Sequence, residues 1–264
     1  MRISRPVGLW LLSAAALGSV VALITGCGQG NRPQLDVPPP PLMAPRGEFR
    51  DQLLEPVLVP SEADPAPLVD MRLASGSGLG RPLYESVEPI LRRRTAQLLA
   101  QAQDLALQRG YVILLLDAGR TPQAHSALVA MAGDPEFVPP ADPEFGCPDI
   151  RGAAIDVTLL DSRNSDMELA MGTRYMEIAP ASGRRFAELD KDHLSNRAIL
   201  AKIMDDAGFE EGHAWWDYHD PEWVDTPDLT EEDVPHTLSS EALEALESPA
   251  TAESPESAPA AAEE

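Results

Sequence analysis

Foldable sequence in this chain is confined to its middle, because both flanks lack what a packed core requires. From Gly28 to about Pro67 the chain is rich in Pro, including Pro38-Pro39-Pro40-Pro41, and shows no sustained apolar period. Such a segment reads as an extended tether. From about Thr226 onward the composition is Glu, Ala, Ser and Pro, with no Lys or Arg after Lys202. A stretch of that kind does not bury enough apolar surface to offset its ordering entropy and is expected to be disordered. What is left, residues 68–225, has the length of one ordinary domain.

The beginning of the chain has a different character. Arg2 and Arg5 precede an apolar stretch from Val7 to Leu23, followed by Ile24-Thr25-Gly26-Cys27. A positive head, an apolar middle and small residues before a boundary make an export signal. Its ending in a cysteine resembles a bacterial lipobox, in which Cys27 carries lipid and becomes the mature N-terminus. The same stretch approaches the ~20 residues that span a bilayer, so an uncleaved anchor is the alternative. The expected organisation is a lipoprotein signal peptide over 1–26, a Pro-rich tether over 27–67, a domain over 68–225 and an acidic tail over 226–264. The implied location is the bacterial cell envelope, held at the membrane through Cys27 and facing the periplasm. Gly28, where an Asp would favour inner-membrane retention, points to the outer membrane.

Cys147 is the other cysteine of the chain, so the domain has no internal disulfide. The formal net charge of -23 excludes nucleic acid as a partner, since that recognition relies on basic stripes.

Inside the domain, Leu91, Leu98, Ala102 and Leu105 fall at three- and four-residue spacings and predict a helix over 88–109, with Pro89 in its first turn and Gly110 as its stop. Tyr111 to Leu116 reads as a short apolar strand, and Pro122 to Met131 as a second helix. Arg120 is thereby placed on the connection after a strand, where functional residues often lie. In Ala154 to Leu160 the apolar residues Ile155, Val157 and Leu159 alternate with Ala154, Asp156 and Thr158, which points Asp156 away from the apolar face. Ser195 to Ala207 is an amphipathic helix capped by Gly208. It delivers the chain to an aromatic strand or edge segment, Ala214 to Tyr218.

Two segments carry a resemblance. Cys147-Pro148-Asp149-Ile150-Arg151-Gly152-Ala153-Ala154-Ile155-Asp156 and Ala214-Trp215-Trp216-Asp217-Tyr218 resemble the active-site segments of the D-alanyl-D-alanine dipeptidases, zinc enzymes related to the D,D-carboxypeptidases. In that family the first segment reads Ser-x-His-x-x-Gly-x-Ala-x-Asp and the second Glu-x-x-His. Asp70-Met71-Arg72, Gly80-Arg81-Pro82-Leu83-Tyr84, Asp117 to Gln123, Met171-Gly172-Thr173, Asn196-Arg197 and Gly208-Phe209 resemble the family's framework blocks in the same order. The resemblance implies an α+β domain, a central mostly antiparallel sheet with flanking helices.

The resemblance also implies a site, altered here. The family's three zinc ligands fall on Asp149, Asp156 and Asp217, of which Asp156 alone is unchanged, and the Glu general base falls on Ala214. Arg120 matches a transition-state or carboxylate clamp, and Trp215 and Trp216 match a substrate-pocket wall. The cofactor implied is one divalent cation or none: zinc by resemblance, but calcium, magnesium or manganese by ligand type, since three carboxylates form a hard, oxygen-only set. Glu210, Glu211 and His213 are the nearest stand-ins for the base.

The expected function is therefore a catalytically degenerate dipeptidase-like domain that binds D-Ala-containing or peptidoglycan-stem peptides. The alternatives are an active metallo-dipeptidase with an altered metal site, and a structural or interaction lipoprotein of the envelope.

Overall fold

The computed structural model describes residues 52–59, 63–76, 78–164 and 167–247. In chain order the elements are β1 (Pro56–Leu58), β2 (Leu68–Val69), α1 (Arg72–Ser75), β3 (Tyr84–Val87), β4 (Ile90–Arg92), α2 (Arg93–Gln108) and β5 (Tyr111–Asp117). They continue with α3 (Pro122–Ala132), β6 (Ala154–Asp161), β7 (Met167–Glu168), α4 (Lys191–Ala207), β8 (Glu210–Glu211), β9 (Asp217–His219), β10 (His236–Leu238) and α5 (Ser240–Glu247). The principal sheet runs β2-β5-β6-β9-β8, with β7 also on β6. Among the described residues, only the β2–β5 pair is parallel. This is the mostly antiparallel α+β arrangement that the resemblance implies.

Chain periodicity accounts for most of these elements. The β5 run Ile113 to Leu116 and its neighbour β6 are buried nearly end to end. Both faces of the sheet centre are therefore covered, and β6 is more deeply enclosed than its alternation suggests. Helix α3 opens as expected with Pro122 in the first turn, and the Thr121 side chain accepts a hydrogen bond from the amide of Ala124 at 3.2 Å. Helix α4 ends on Gly208 in the left-handed region, as its cap position requires, but starts at Lys191, four residues before the predicted start.

Four expectations are corrected. Residues 90–92, read as the start of a helix, form β4 because Ile90 and Leu91 pair with β1 and are buried. The tether therefore does not extend to Pro67: Val57, Val59 and Ala63 are buried in the main core. The acidic tail does not start at Thr226 either, because the chain stays folded through Glu247. Leu229 and Val234 pack with Ile90 in a second small core, β10 pairs with β3, and Ala242 of α5 is fully buried. Apolar residues spaced among the acidic ones supply these contacts, and composition averaged over the segment hides them. The fourth correction is that Ala214 to Tyr218, read as an aromatic strand or edge segment, is a strand only from Asp217; Ala214 makes an isolated bridge to Gly183, and Trp215 and Trp216 form a turn. The signal peptide, Cys27, most of the tether and residues 248–264 lie outside the described residues.

Arg92 fastens both late additions to the domain. Its buried guanidinium donates to the carbonyls of Leu54 at 2.7 Å, Pro227 at 2.7 Å and Arg151 at 2.9 Å. Arg92→Ala strands these three acceptors and is expected to destabilise the protein by about 3 kcal/mol in urea unfolding. A loss under ~1 kcal/mol would show that the termini are held by their apolar contacts alone.

Candidate active site

The site gathers at one end of the sheet, where β5 and β6 pair Asp117 with Asp156, and β6 and β9 pair Asp156 with Asp217. Three carboxylates therefore stand side by side across neighbouring strands. Arg120 follows β5, and its backbone amide donates to the Asp149 carbonyl at 3.0 Å, which fixes the loop before β6 against it. That close approach depends on glycine. A Cβ on Gly119 would lie 2.8 Å from the Gly152 Cα and 2.6 Å from the Leu229 Cδ1, and Gly152 itself has a φ of +70°.

Each of the three expected metal ligands has a protein donor of its own. Asp149 forms a short ion pair with the Arg120 Nη2. The Asp156 Oδ2 accepts from the Tyr175 hydroxyl at 2.9 Å, and the Asp217 Oδ2 accepts from the backbone N–H of His213 at 3.0 Å. The Asp217 carboxylate fills the space above Gly212, where a Cβ would come within 1.8 Å of it. Among the described residues, the set of three whose donor atoms all lie within 4.8 Å of one another is a different one: His125, Cys147 and Asp149.

Electrostatics divides the acids. Burial would raise the Asp149 carboxyl, but the Arg120 charge overrides it and holds this group below the usual carboxylate range. Asp156 goes the other way, pushed well up by burial and then by the charges of Asp217 and Asp117. Asp217 is raised by burial and by Asp149. Asp117 is 2% exposed, neither of its oxygens has a hydrogen bond, and burial pushes it up to about 7 despite the nearby Arg120. Arg120 Nε is 3.3 Å from the Asp117 Oδ2, without hydrogen-bond geometry, and Arg120 Nε and Nη1 are both buried and unsatisfied.

Ala214 is 4% exposed and offers no proton acceptor where the resemblance places the base. The stand-ins are not better placed: Glu210 and Glu211 are exposed, with Glu210 lying 3.4 Å from His219, and His213 packs edge-on against Phe137 at 5.4 Å. Trp216 is buried among Tyr175, Phe137 and Trp215, so it packs instead of lining an open surface. Trp215 is also buried, its indole N–H donating to the Thr173 Oγ1 at 2.9 Å, yet together with Tyr175 it lines a cavity of about 390 Å³.

Sequence reasoning missed Arg184. Its guanidinium donates to the carbonyls of Ala214 at 2.7 Å and Asp217 at 2.8 Å and to the Tyr218 hydroxyl at 2.9 Å. It thereby holds the whole second segment in shape. Most of its acceptors are main-chain carbonyls, which no sequence pattern reveals. The fold also sets the Nε2 of His125, in α3, 3.7 Å from the Cys147 Sγ.

No protein-family model matches the chain. It is 26% identical over 166 residues to the D-alanyl-D-alanine dipeptidase of Escherichia coli (strain K12), covering 62% of this chain and 84% of that protein. It is 27% identical over 158 residues to the D-alanyl-D-alanine dipeptidase of Enterococcus faecium, covering 53% of this chain and 78% of that protein. These two similarities, joined to the mostly antiparallel sheet and the motif order along it, make the chain a distant relative of the D-alanyl-D-alanine dipeptidases.

Proposed function

We propose that this chain is a lipid-anchored protein of the bacterial cell envelope whose domain binds D-Ala-ended or peptidoglycan-stem peptides without hydrolysing them as its relatives do. The observation that carries this reading is the state of Arg120. It keeps Nε and Nη1 free of hydrogen bonds in a buried setting, and a guanidinium with unspent donors is suited to a peptide carboxylate. The lipid anchor at Cys27 and the periplasmic location rest on the sequence.

The zinc ion implied by the family does not fit the residues that stand at its ligand positions. Asp149 is bound to Arg120, Asp156 to Tyr175 and Asp217 to the His213 amide. Only Asp149 has a cation for a partner; Asp156 and Asp217 accept from neutral donors, and an oxygen-only set of three carboxylates matches zinc less well than oxygen-preferring cations. Ala214 then removes the group that would take a proton from water, a role that contributes ~10²–10⁴-fold.

One observation favours a second reading, a working hydrolase with a substitute base. Asp117 sits near neutrality beside Arg120, and a base is most effective when its pKa lies near the working pH. A single assay separates the two. Purified protein supplied with zinc is given D-Ala-D-Ala, with turnover and calorimetric binding measured together. Binding without turnover, weakened at least ~10-fold in Arg120→Lys, is expected, because lysine keeps the charge but loses the fork. Turnover abolished by Asp117→Asn would establish the hydrolase instead, and absence of binding would end the peptide reading.

A further inference from the structure

We infer that a second cavity, separate from the candidate active site, binds a small α-amino amide: a charged amine, a carbonyl and an apolar side chain on one carbon. The inference does not rest on the peptide-binding reading of Arg120.

The cavity, of about 430 Å³, lies where the first turn of α2 meets the loop after β9. Its wall contains none of Asp117, Arg120, Asp149, Asp156 and Asp217. Small-ligand sites commonly have volumes of ~300–1,000 Å³ and are largely formed before the ligand arrives. Here the shape is fixed by Asp220, a buried lining residue. Its amide donates to the Ala153 carbonyl at 2.8 Å, and its Oδ1 accepts from the Glu222 amide at 3.0 Å. Its Oδ2 accepts from the Arg94 Nε at 2.8 Å.

Three properties of the wall select the ligand. Leu53, Leu54 and Val224 give it an apolar part. Two arginines, Arg92 and Arg94, are set among three carboxylates, those of Asp220, Glu222 and Asp225, so the charge balance is negative and disfavours a carboxylate or phosphate ligand. Glu222 is exposed, its carboxylate 3.3 Å from the Arg94 Nη2, and it offers a counter-charge to an amine that stays partly hydrated. Arg94 and Thr95 are both buried, and each keeps a polar atom without a hydrogen bond, the Arg94 Nη1 and the Thr95 Oγ1. A guanidinium nitrogen only donates, so its complement is an oxygen, and a neutral carbonyl supplies one without adding negative charge. The Thr95 hydroxyl donates to the same carbonyl or accepts from the amide nitrogen. Amine, carbonyl and apolar branch are adjacent in an α-amino amide, as Glu222, the Arg94–Thr95 pair and the leucines are along this wall.

L-Leucinamide is the probe, at about pH 6.5 so that its amine, with a pKa near ~8, is charged. The control is 4-methylpentanoate, which has the same branched chain but a carboxylate and no amine. Amide ¹H–¹⁵N shifts of the full-length protein report binding. Saturable shifts at Ala153 and Asp220 are expected with leucinamide, and weaker binding of 4-methylpentanoate. Thr95→Val keeps the shape, removes the hydroxyl and weakens leucinamide binding ~2–10-fold, the loss of one hydrogen bond. Val224→Trp, at an exposed position, fills the cavity and abolishes the shifts, with circular dichroism checking its fold. Asp217→Asn, in the candidate active site, leaves them unchanged. Leucylglycinamide separates two sources of the same chemistry: equal or tighter binding assigns the amino end of a peptide, and weaker binding a free amino amide. Four results would overturn the inference: no saturable shift, 4-methylpentanoate binding as tightly as leucinamide, an unchanged affinity in Thr95→Val, or shifts that survive Val224→Trp and vanish in Asp217→Asn.

Discussion

Raising the pH from 5 to 8 is expected to destabilise this protein by on the order of 2–4 kcal/mol. Asp117 is one main source. Its folded value of about 7 stands roughly 3 units above the ~3.9 of an unfolded Asp. Between those values the folded state holds a proton that the unfolded state has lost, so stability falls as pH rises. Asp156, also raised by burial and by neighbouring carboxylates, acts in the same direction. Asp149, with its lowered value, supports the fold above the unfolded pKa and matters only below about pH 4. His125 opposes the trend, since burial and Arg120 lower it and its neutral folded form favours higher pH. One histidine is outweighed by three raised acids, Asp117, Asp156 and Asp217. Urea midpoints at pH 5 and pH 8 measure the net effect, and Asp117→Asn isolates its cause. That variant should be the more stable protein at pH 8 and show a flatter profile. A wild-type midpoint that is constant or rises over this range would refute the account.

Arg120→Ala is expected to cost about 3–5 kcal/mol at pH 8, the usual result of deleting one member of a buried charge pair. The loss comes less from the missing attraction than from the Asp117 and Asp149 carboxylates left behind. Asp117 is 2% exposed and has no other neutralising partner within salt-bridge distance among the described residues. At pH 5 the cost should be distinctly smaller, since a carboxyl that can take up a proton escapes the charge. Asp149→Asn should cost less than Arg120→Ala at either pH, because Asp149 is partly solvated and Arg120 would keep Asp117. Equal losses at pH 5 and 8 would mean that Arg120 acts through packing instead of charge.

The legibility of this protein differed between its centre and its margins. Strands β5 and β6 and helices α3 and α4 could be read because each repeats its own apolar period over seven or more residues. The folded margins could not. Val57 and Val59 sit among prolines, and Ala242, Ala245 and Leu246 sit among glutamates, yet all join the core. Their burial depends on β4, β3 and α3 offering a surface, which segment composition does not reveal. Ile90 and Leu91 were consistent with a helix until β1 arrived as their partner.

Sequence alone determined the family-level frame: an α+β domain, Asp156 on a central strand, Arg120 just after another, and Ala214 in place of a base. Local periodicity and residue identity suffice for that, since each follows from neighbours along the chain. Only the tertiary structure decided what the acids do. It joined Asp149 to Arg120, left Asp117 and the His125 Nδ1 without hydrogen bonds, and set Cys147 beside a histidine 22 residues earlier. Charge pairing and desolvation depend on which distant segments pack together, and spacing along the chain does not specify that.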